Sequence, residues 1–139
     1  MTILDEIAAY TRQRMAEEEG LMPTASLRQQ ACAMASAERE ANGGVFPFRF
    51  SAALAEPSLS FICEVKKASP SKGVIAEEFP YLDIAKSYEA AGAAAISCLT
   101  EPKWFMGADA YLTEIAAETS VPVLRKDFVV CERMIYQAK

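Results

Sequence analysis

The sequence contains no histidine among its 139 residues. Proton transfer by this chain would therefore depend on carboxylates, lysines or tyrosines whose pKa values are shifted by their surroundings. The four cysteines, Cys32, Cys63, Cys98 and Cys131, lack the paired spacing of a metal site. We therefore expect them to be reduced and structural, as is usual for a cytoplasmic protein.

Long hydrophobic runs are also missing, since no apolar stretch reaches the length of a membrane span. The N-terminus lacks the basic start and apolar core of a signal peptide. The net charge of −5 argues against a general nucleic-acid binder. A hydrophobic content of 52% over 139 residues fits one folded, soluble domain. We expect a cytoplasmic protein that binds neither nucleic acid nor a membrane.

The first part of the chain, residues 1–55, has the pattern of a helical extension followed by a covering segment. Thr2 with Asp5, and Ser26 with Gln29, have the spacing of helix-capping boxes, and each pair precedes an apolar stripe of helical period. Phenylalanines then alternate around Pro47, which favours an extended segment over a sheet strand. Residues 51–55 could form one helical turn.

The remainder, residues 56–139, alternates strand-like and helix-like segments. Strands are predicted at 61–66, 94–99 and 121–126, helices at 81–91 and 108–118, and a third helix begins near 132 and has not ended at Lys139. This alternation predicts parallel βα units of an α/β fold. Three units could form a small open sheet, but dinucleotide and Walker-type glycine motifs are absent. A (β/α)8 barrel needs eight strands and about 250 residues. We therefore expect an incomplete barrel, the first part of a longer protein.

The stretch 61–73 carries the clearest candidate site. Side chains alternate along a strand, so Glu64 and Lys66 share one face at the carboxyl end of the first strand. The following loop contains Ser69, Pro70 and Gly73, whose hydroxyl and backbone N–H groups suit an anion. The alternative is an ion pair at a sheet edge without further function, followed by a solvated loop.

The ends of the other two strands also carry polar and aromatic residues. Lys126 ends the third strand, and Trp104, Phe105 and Phe128 could form an aromatic wall near it. Six cations would gather on one rim: Lys66, Lys67, Lys72, Lys103, Arg125 and Lys126. Such a rim favours an anionic ligand, and active sites of (β/α) barrels lie at this end. A solvated Lys126 and a hydrophobic plug under the loops stay open as alternatives.

Three motifs at these strand ends resemble indole-3-glycerol-phosphate synthases of tryptophan biosynthesis. They are FICEVKKASPSKG at 61–73, ISCLTEPKWF at 96–105 and VLRKDF at 123–128. The resemblance covers the chain from its N-terminal helices to its last residue. It implies a (β/α)8 TIM barrel with extra N-terminal helices. It also implies a carboxy-lyase that converts 1-(2-carboxyphenylamino)-1-deoxyribulose 5-phosphate to indole-3-glycerol phosphate, with loss of CO2 and water and with no cofactor. A third interpretation is a different phosphate-binding barrel enzyme, such as phosphoribosylanthranilate isomerase. That enzyme would need an acid–base pair other than the Glu64, Lys66 and Lys126 set.

The resemblance also implies roles for individual residues. Lys126 matches the general acid toward the ribulose carbonyl, and Lys66 matches the lysine that meets the substrate carboxylate and can deliver protons. Glu64 matches the glutamate that pairs with these lysines and can act as a base. Ser69 matches a phosphate-binding serine, while Phe105 and Phe128 match aromatics that contact the anthranilate ring.

Two departures from the family limit what the resemblance implies. Cys131 to Met134 replace the family's Asp-Pro-Tyr-Gln, so the third helix loses a good N-cap, and we expect a small stability cost. Further catalytic and phosphate-binding residues of the family lie on later strands. We therefore expect this chain to be inactive alone. The alternative function is a non-catalytic half-barrel that self-associates or binds a partner through its open parallel sheet.

Overall fold

The computed structural model describes residues 2–56 and 58–139. The elements within these ranges are α1 (Ile3–Leu21), α2 (Thr24–Ala41), α3 (Arg49–Leu54), β1 (Ile62–Val65), β2 (Ala68–Ser69), β3 (Gly73–Val74), α4 (Tyr81–Ala90), β4 (Ala95–Leu99), α5 (Asp109–Glu118), β5 (Val123–Lys126) and α6 (Arg133–Gln137). They form two compact units, one of Met1–Pro47 with Phe128–Lys139 and one of Phe48–Asp127. The predicted division at residue 55 stays a prediction.

Helix α1 begins with the predicted capping box. The Asp5 N–H donates to Thr2 Oγ1 at 3.2 Å, and the Thr2 N–H donates to Asp5 Oδ2 at 2.8 Å. These two bonds satisfy backbone donors that have no partner inside the helix. Ile7, Thr11 and Met15 are buried at a spacing of one helical turn, so they form the packed face of α1.

Helix α2 begins earlier than the sequence predicted, and the second capping box is wrong. The N-cap residue is Pro23, which makes no side-chain cap, and Ser26 lies inside the first turn. The Glu19 carboxylate instead accepts the Thr24 N–H at 3.0 Å. Hydrogen bonds from the Thr24 hydroxyl and N–H lower the pKa of the Glu19 carboxyl below its ordinary value. An acid from the preceding helix thus caps α2, which a local motif could not reveal.

Helix α6 packs on α2 in the first unit, and its buried Arg133 contacts the end of α1. The Arg133 guanidinium donates to the Met22 carbonyl at 2.7 Å and the Glu18 carbonyl at 3.2 Å. The Met22 carbonyl lies beyond the last turn of α1, where carbonyls lack helical partners, and this arginine satisfies it. The Glu18 carbonyl already accepts the Met22 N–H, so the arginine is its second donor. The helix ends before Lys139, with Ala138 as its C-cap, so the expectation that it continues through Lys139 is wrong.

The second unit is built on a parallel three-stranded sheet of order β1-β4-β5. The prediction of three parallel βα units is therefore confirmed. One face of this sheet packs on α4 and α5, with a buried core of Val65, Ala85, Ile96, Cys98 and Ile115. The central strand β4 is buried along its whole length, as expected for the middle strand of a parallel sheet.

Two connections differ in detail from the prediction. The predicted turn at 51–55 is a longer helix, α3, which begins after Phe48 in the left-handed region at a φ of 42°. The loop after β1 contains an antiparallel hairpin of β2 and β3, which the sequence analysis did not anticipate. The Ile75 N–H donates to the Lys67 carbonyl at 2.8 Å, so the hairpin folds back on the end of β1.

Candidate functional site

The strand register places the polar residues of the sheet on the face opposite α4 and α5. Glu64 pairs with Ser97, and Ser97 pairs with Leu124. Two residues further along, Leu99 pairs with Lys126. Because alternate residues share a face, Glu64, Ser97, Leu124 and Lys126 lie on one side of the sheet. Val65, Ile96 and Cys98 lie on the other side, in the core. The predicted strand-end residues therefore share one face.

The Glu64 carboxylate has two polar partners on this face. Its Oε1 is 3.1 Å from the Lys66 Nζ, and its Oε2 accepts a hydrogen bond of 3.2 Å from the Ser97 hydroxyl. The Glu64 and Lys66 side chains are 35% and 33% exposed. The pair is thus half-buried, where an ion pair is less screened by solvent than at an open surface. A ligand can still reach both groups.

Ser69 lies in strand β2 of the hairpin, opposite Gly73. Ser69 is buried, and its backbone carbonyl accepts the Lys72 N–H at 3.3 Å. Gly73 has a φ of 64°, a left-handed conformation that glycine adopts without steric cost. The hairpin therefore places the buried Ser69 and the exposed Lys72 just after the strand end with Glu64 and Lys66.

Lys126 is exposed at the carboxyl end of β5, but its neighbour Arg125 does not join a cationic rim. The Arg125 side chain is 3% exposed and lies 3.0 Å from Asp109 Oδ1 and 3.6 Å from Asp127 Oδ2. It points to the helix-covered face because strand side chains alternate. The expectation that Arg125 contributes to the rim is therefore wrong, and Lys126 carries the positive charge of this strand end.

The two predicted aromatic residues occupy different units. Phe105 is half-buried in the loop between β4 and α5, beside Trp104. Lys103 Nζ lies 4.5 Å from the centre of the Trp104 ring, a cation–π distance. Phe128 is half-buried and begins the terminal segment of the first unit. The second unit thus contains Glu64, Lys66, Ser69, Phe105 and Lys126.

Sequence reasoning missed three residues at these strand ends. Ser97 was hidden in an apolar strand, and only the register to Glu64 reveals it. Glu101 is fully buried and accepts backbone N–H groups of its own loop. Asp127 has a fully buried side chain that accepts the Thr100 hydroxyl at 3.0 Å. A signal for Glu101 existed, since Pro102 has no N–H and the next three residues supply donors.

Two cavities in the described part of the chain lie away from these residues. One of about 330 Å³ between α2 and α6 is lined by residues that include Ala31, Cys32 and Ile135. A neighbouring one of about 340 Å³ is lined by residues that include Cys32, Arg39 and Phe46. Both belong to the first unit and contain none of the predicted catalytic residues. The strand ends are the stronger candidate for the functional site, because the acid–base residues Glu64, Lys66 and Lys126 lie there.

Within the described part of the chain, no cluster of acidic or cysteine residues could hold a metal ion. The four cysteines form no disulfide, and Cys32 and Cys131 are exposed. In the same residues, no helix combines the length and the hydropathy that a membrane span needs.

Parallel βα units with acid–base residues at their carboxyl ends are consistent with part of a (β/α) barrel. A family model described as "Indole-3-glycerol phosphate synthase" matches residues 4–139. The chain belongs to the indole-3-glycerol phosphate synthase family, whose members are TIM barrels and carboxy-lyases of tryptophan biosynthesis.

Curated relatives with the name indole-3-glycerol phosphate synthase match nearly the whole chain. That of Ruminiclostridium cellulolyticum is 47% identical over 98% of this chain and 49% of its own length. That of Lachnoclostridium phytofermentans is 43% identical over 99% of this chain and 52% of its own length. That of Lacticaseibacillus paracasei is 47% identical over 99% of this chain and 50% of its own length. The chain thus spans about half the length of the curated relatives it matches.

Proposed function

We propose that this chain supplies the Glu64, Lys66 and Lys126 part of an indole-3-glycerol-phosphate synthase site. The substrate is 1-(2-carboxyphenylamino)-1-deoxyribulose 5-phosphate, and the products are indole-3-glycerol phosphate, CO2 and water. The observation that carries this proposal is the common face of Glu64 and Lys126 at the strand ends, within a family match over residues 4–139. A reaction in the cytoplasm is part of the proposal.

Lys126 acts as the general acid. Ring closure needs a proton on the ribulose carbonyl oxygen as the aromatic carbon attacks, and water then leaves. An ammonium group at the end of a strand can donate that proton, and it can stabilise the negative charge that develops on the oxygen. The ion pairs of Arg125 with Asp109 and Asp127 support this assignment, since they leave Lys126 as the cation of β5 on the site face.

Lys66 contacts the substrate carboxylate, and Glu64 positions Lys66 and accepts protons. The 3.1 Å contact between Glu64 and Lys66 supports the pairing, and the Ser97 hydroxyl orients the second carboxylate oxygen. An ammonium beside the departing carboxylate binds its charge and keeps the substrate in a reactive conformation. Loss of CO2 returns the electron pair of the broken bond to the six-membered ring. Loss of the former carbonyl oxygen as water, with a proton taken up by Glu64, then completes the indole ring.

Ser69, Phe105 and Phe128 bind the two ends of the substrate. Ser69 donates to the phosphate from the hairpin, where the exposed Lys72 adds positive charge. Phe105 and Phe128 contact the anthranilate ring, because aromatic side chains bury flat rings well. No cofactor takes part, since protonation, condensation and loss of CO2 need only acid, base and charge stabilisation.

The 139-residue chain alone is expected to be inactive. Its three-stranded sheet leaves Ile62 48% and Leu124 40% exposed on the face that carries the polar residues. A water-filled site weakens electrostatic stabilisation, because the effective dielectric constant rises. Turnover thus needs further structure over this face.

A chimera tests the proposal. Residues 1–139 would replace the matching half of the R. cellulolyticum relative, and indole-3-glycerol phosphate would be followed by its fluorescence. We expect turnover by the chimera and none by the 139-residue chain alone. Steady turnover by the chain alone would contradict the proposed need for further structure, and a folded but inactive chimera would contradict the proposed function.

The same exposed face favours a second candidate function, assembly through the sheet. Strands β1 and β5 are the edges of the sheet, and free edges can pair with another chain. Light scattering of the 139-residue chain would show a concentration-dependent rise in mass, reduced by Leu124→Lys. Leu21→Lys is the matched control, since Leu21 is 88% exposed at the end of α1. A monomer at all concentrations would exclude assembly.

A further inference from the structure

Glu101 is a buried acid in the loop that follows β4. It is 0% exposed, although a buried charge is costly unless it is hydrogen-bonded. Its Oε1 accepts the Lys103 N–H at 3.0 Å, and its Oε2 accepts the N–H groups of Trp104 at 2.7 Å and Phe105 at 3.0 Å. One carboxylate therefore organises three successive backbone donors, a concave arrangement suited to an anion.

The backbone around Glu101 gives this loop little freedom. The Gly107 N–H donates to the Glu101 carbonyl at 2.8 Å, and Met106 adopts a left-handed φ of 52°. A Cβ atom at Gly107 would lie 2.3 Å from the Leu99 carbonyl oxygen, so the end of the loop packs directly on β4. The loop conformation thus depends on a few close backbone contacts.

The base of the loop is also connected to the strand that carries Lys126. The Thr100 N–H donates to the Lys126 carbonyl at 3.0 Å, and the Thr100 hydroxyl donates to Asp127 Oδ2 at 3.0 Å. Thr100 precedes Glu101 directly. The backbone of Phe105 therefore has a hydrogen-bonded connection, through Glu101 and Thr100, to the end of β5.

We propose that Glu101 is a positioning residue that sets the place of the Phe105 ring relative to Lys126. This inference rests on the proposed function, in which Phe105 contacts the anthranilate ring of the substrate and Lys126 protonates the ribulose carbonyl oxygen. Glu101 touches neither substrate nor reacting atoms. Its effect is on how the aromatic ring of the substrate is oriented when the proton is transferred.

Trp104 offers a direct readout in the 139-residue chain, because it is the only tryptophan. We expect Glu101→Gln to shift Trp104 emission to longer wavelength and to increase its quenching by acrylamide, since an amide has one acceptor oxygen for three donors. Glu101→Asp keeps the charge and can still bond the next two donors, so we expect a smaller change. Glu118→Gln, at an exposed position of α5, is the matched control. Unchanged emission and quenching in Glu101→Gln would overturn the proposal.

The chimera supplies the second readout. We expect Glu101→Asp to raise KM about tenfold, and to have no further effect on KM when Phe105→Ala is already present. Equal effects of Glu101→Asp with and without Phe105 would overturn the proposal. An inactive wild-type chimera would instead refute the proposed function, while the Trp104 measurement would still decide whether Glu101 orders the loop. Circular dichroism separates local changes from unfolding.

Discussion

The Glu64 carboxylate divides its two oxygens between Lys66 and Ser97. We predict that Ser97→Ala lowers kcat/KM of the chimera about tenfold, because a hydrogen bond to a charged group contributes about 1.5 kcal/mol. Ser87→Ala is the control, since the Ser87 hydroxyl donates to the Asp83 carbonyl of its own helix. Equal rates for the two variants would show that Ser97 does not orient the carboxylate.

The Cys98 thiol gives a prediction that needs no substrate. Burial, with a smaller effect of the nearby Asp109 charge, raises the pKa of the Cys98 thiol from 9.0 to about 12. Since the thiolate is the reactive form, we predict that iodoacetamide at mildly alkaline pH modifies exposed Cys32 and Cys131 and spares Cys98. Mass spectrometry of peptides measures this. Modification of Cys98 at the rate of Cys32 would contradict the burial.

The same raised pKa has a consequence for stability. The folded chain retains the Cys98 proton more tightly than the unfolded chain, whose thiol has the ordinary pKa. The resulting contribution to the free energy of unfolding is fully present below pH 9 and is lost between pH 9 and about 12. In Cys98→Ser no thiol titrates at this position, so we expect a smaller loss of stability between pH 9 and about 12. Urea unfolding at several alkaline pH values would measure this difference.

At the scale of elements, the end of the β4–α5 loop depends on Gly107. A Cβ atom there would lie 2.3 Å from the Leu99 oxygen and 2.8 Å from the Thr100 carbonyl carbon, both of which are backbone atoms. We predict that Gly107→Ala lowers the free energy of unfolding by about 3 kcal/mol, because the backbone must shift. Urea denaturation measures the change.

Gly20→Ala is the matched control for this prediction. Gly20 lies in α1, and a Cβ there would meet no atom within 4 Å. Since alanine favours a helix more than glycine, we expect a gain of up to about 1 kcal/mol. A similar loss in both variants would mean that the Gly107 contact has no special role.

The elements that the sequence predicted well are those with a regular apolar period. The three parallel strands, helices α4 and α5, and the capping box of α1 are confirmed, with ends that differ by two residues or fewer. A buried parallel strand is nearly continuous in apolar residues, so its pattern is strong. The short strands β2 and β3 have no such pattern. They form because the Lys67 carbonyl accepts the Ile75 N–H and the Ser69 carbonyl accepts the Lys72 N–H around a turn.

The errors arise where a distant residue replaces a local signal. The start of α2 depends on Glu19, whose carboxylate accepts the Thr24 N–H, and not on Ser26. Arg125 lies near the carboxyl end of β5, which predicts a place on the rim. Its side chain instead pairs with Asp109, sixteen residues earlier in the chain. Glu64 and Lys126 could be predicted as candidates because alternation gives the face of each within its own strand, whereas Ser97 needed the register between strands.

At the scale of the whole molecule, positive charge at the strand ends lies on a chain that is acidic overall. The chain has a net charge of −5, yet Lys66, Lys72 and Lys126 lie at or after strand ends in the second unit. Local positive potential of this kind attracts an anionic ligand even to an acidic protein. The exposed Ile62 and Leu124 on the same face leave the site open to water. The proposed chemistry thus needs both the lysines and a cover over the sheet.

The most direct test of the central claim is indole-3-glycerol phosphate formation by the chimera with Lys126→Ala. We predict that kcat falls by about 10²–10⁴, the usual contribution of a general acid, while the fold is kept. Lys86→Ala is the matched control, since Lys86 pairs with Glu118 on the helical surface of the same unit, and it should leave kcat unchanged. A Lys126→Ala chimera as active as the Lys86→Ala control would contradict the assignment of Lys126 as the general acid.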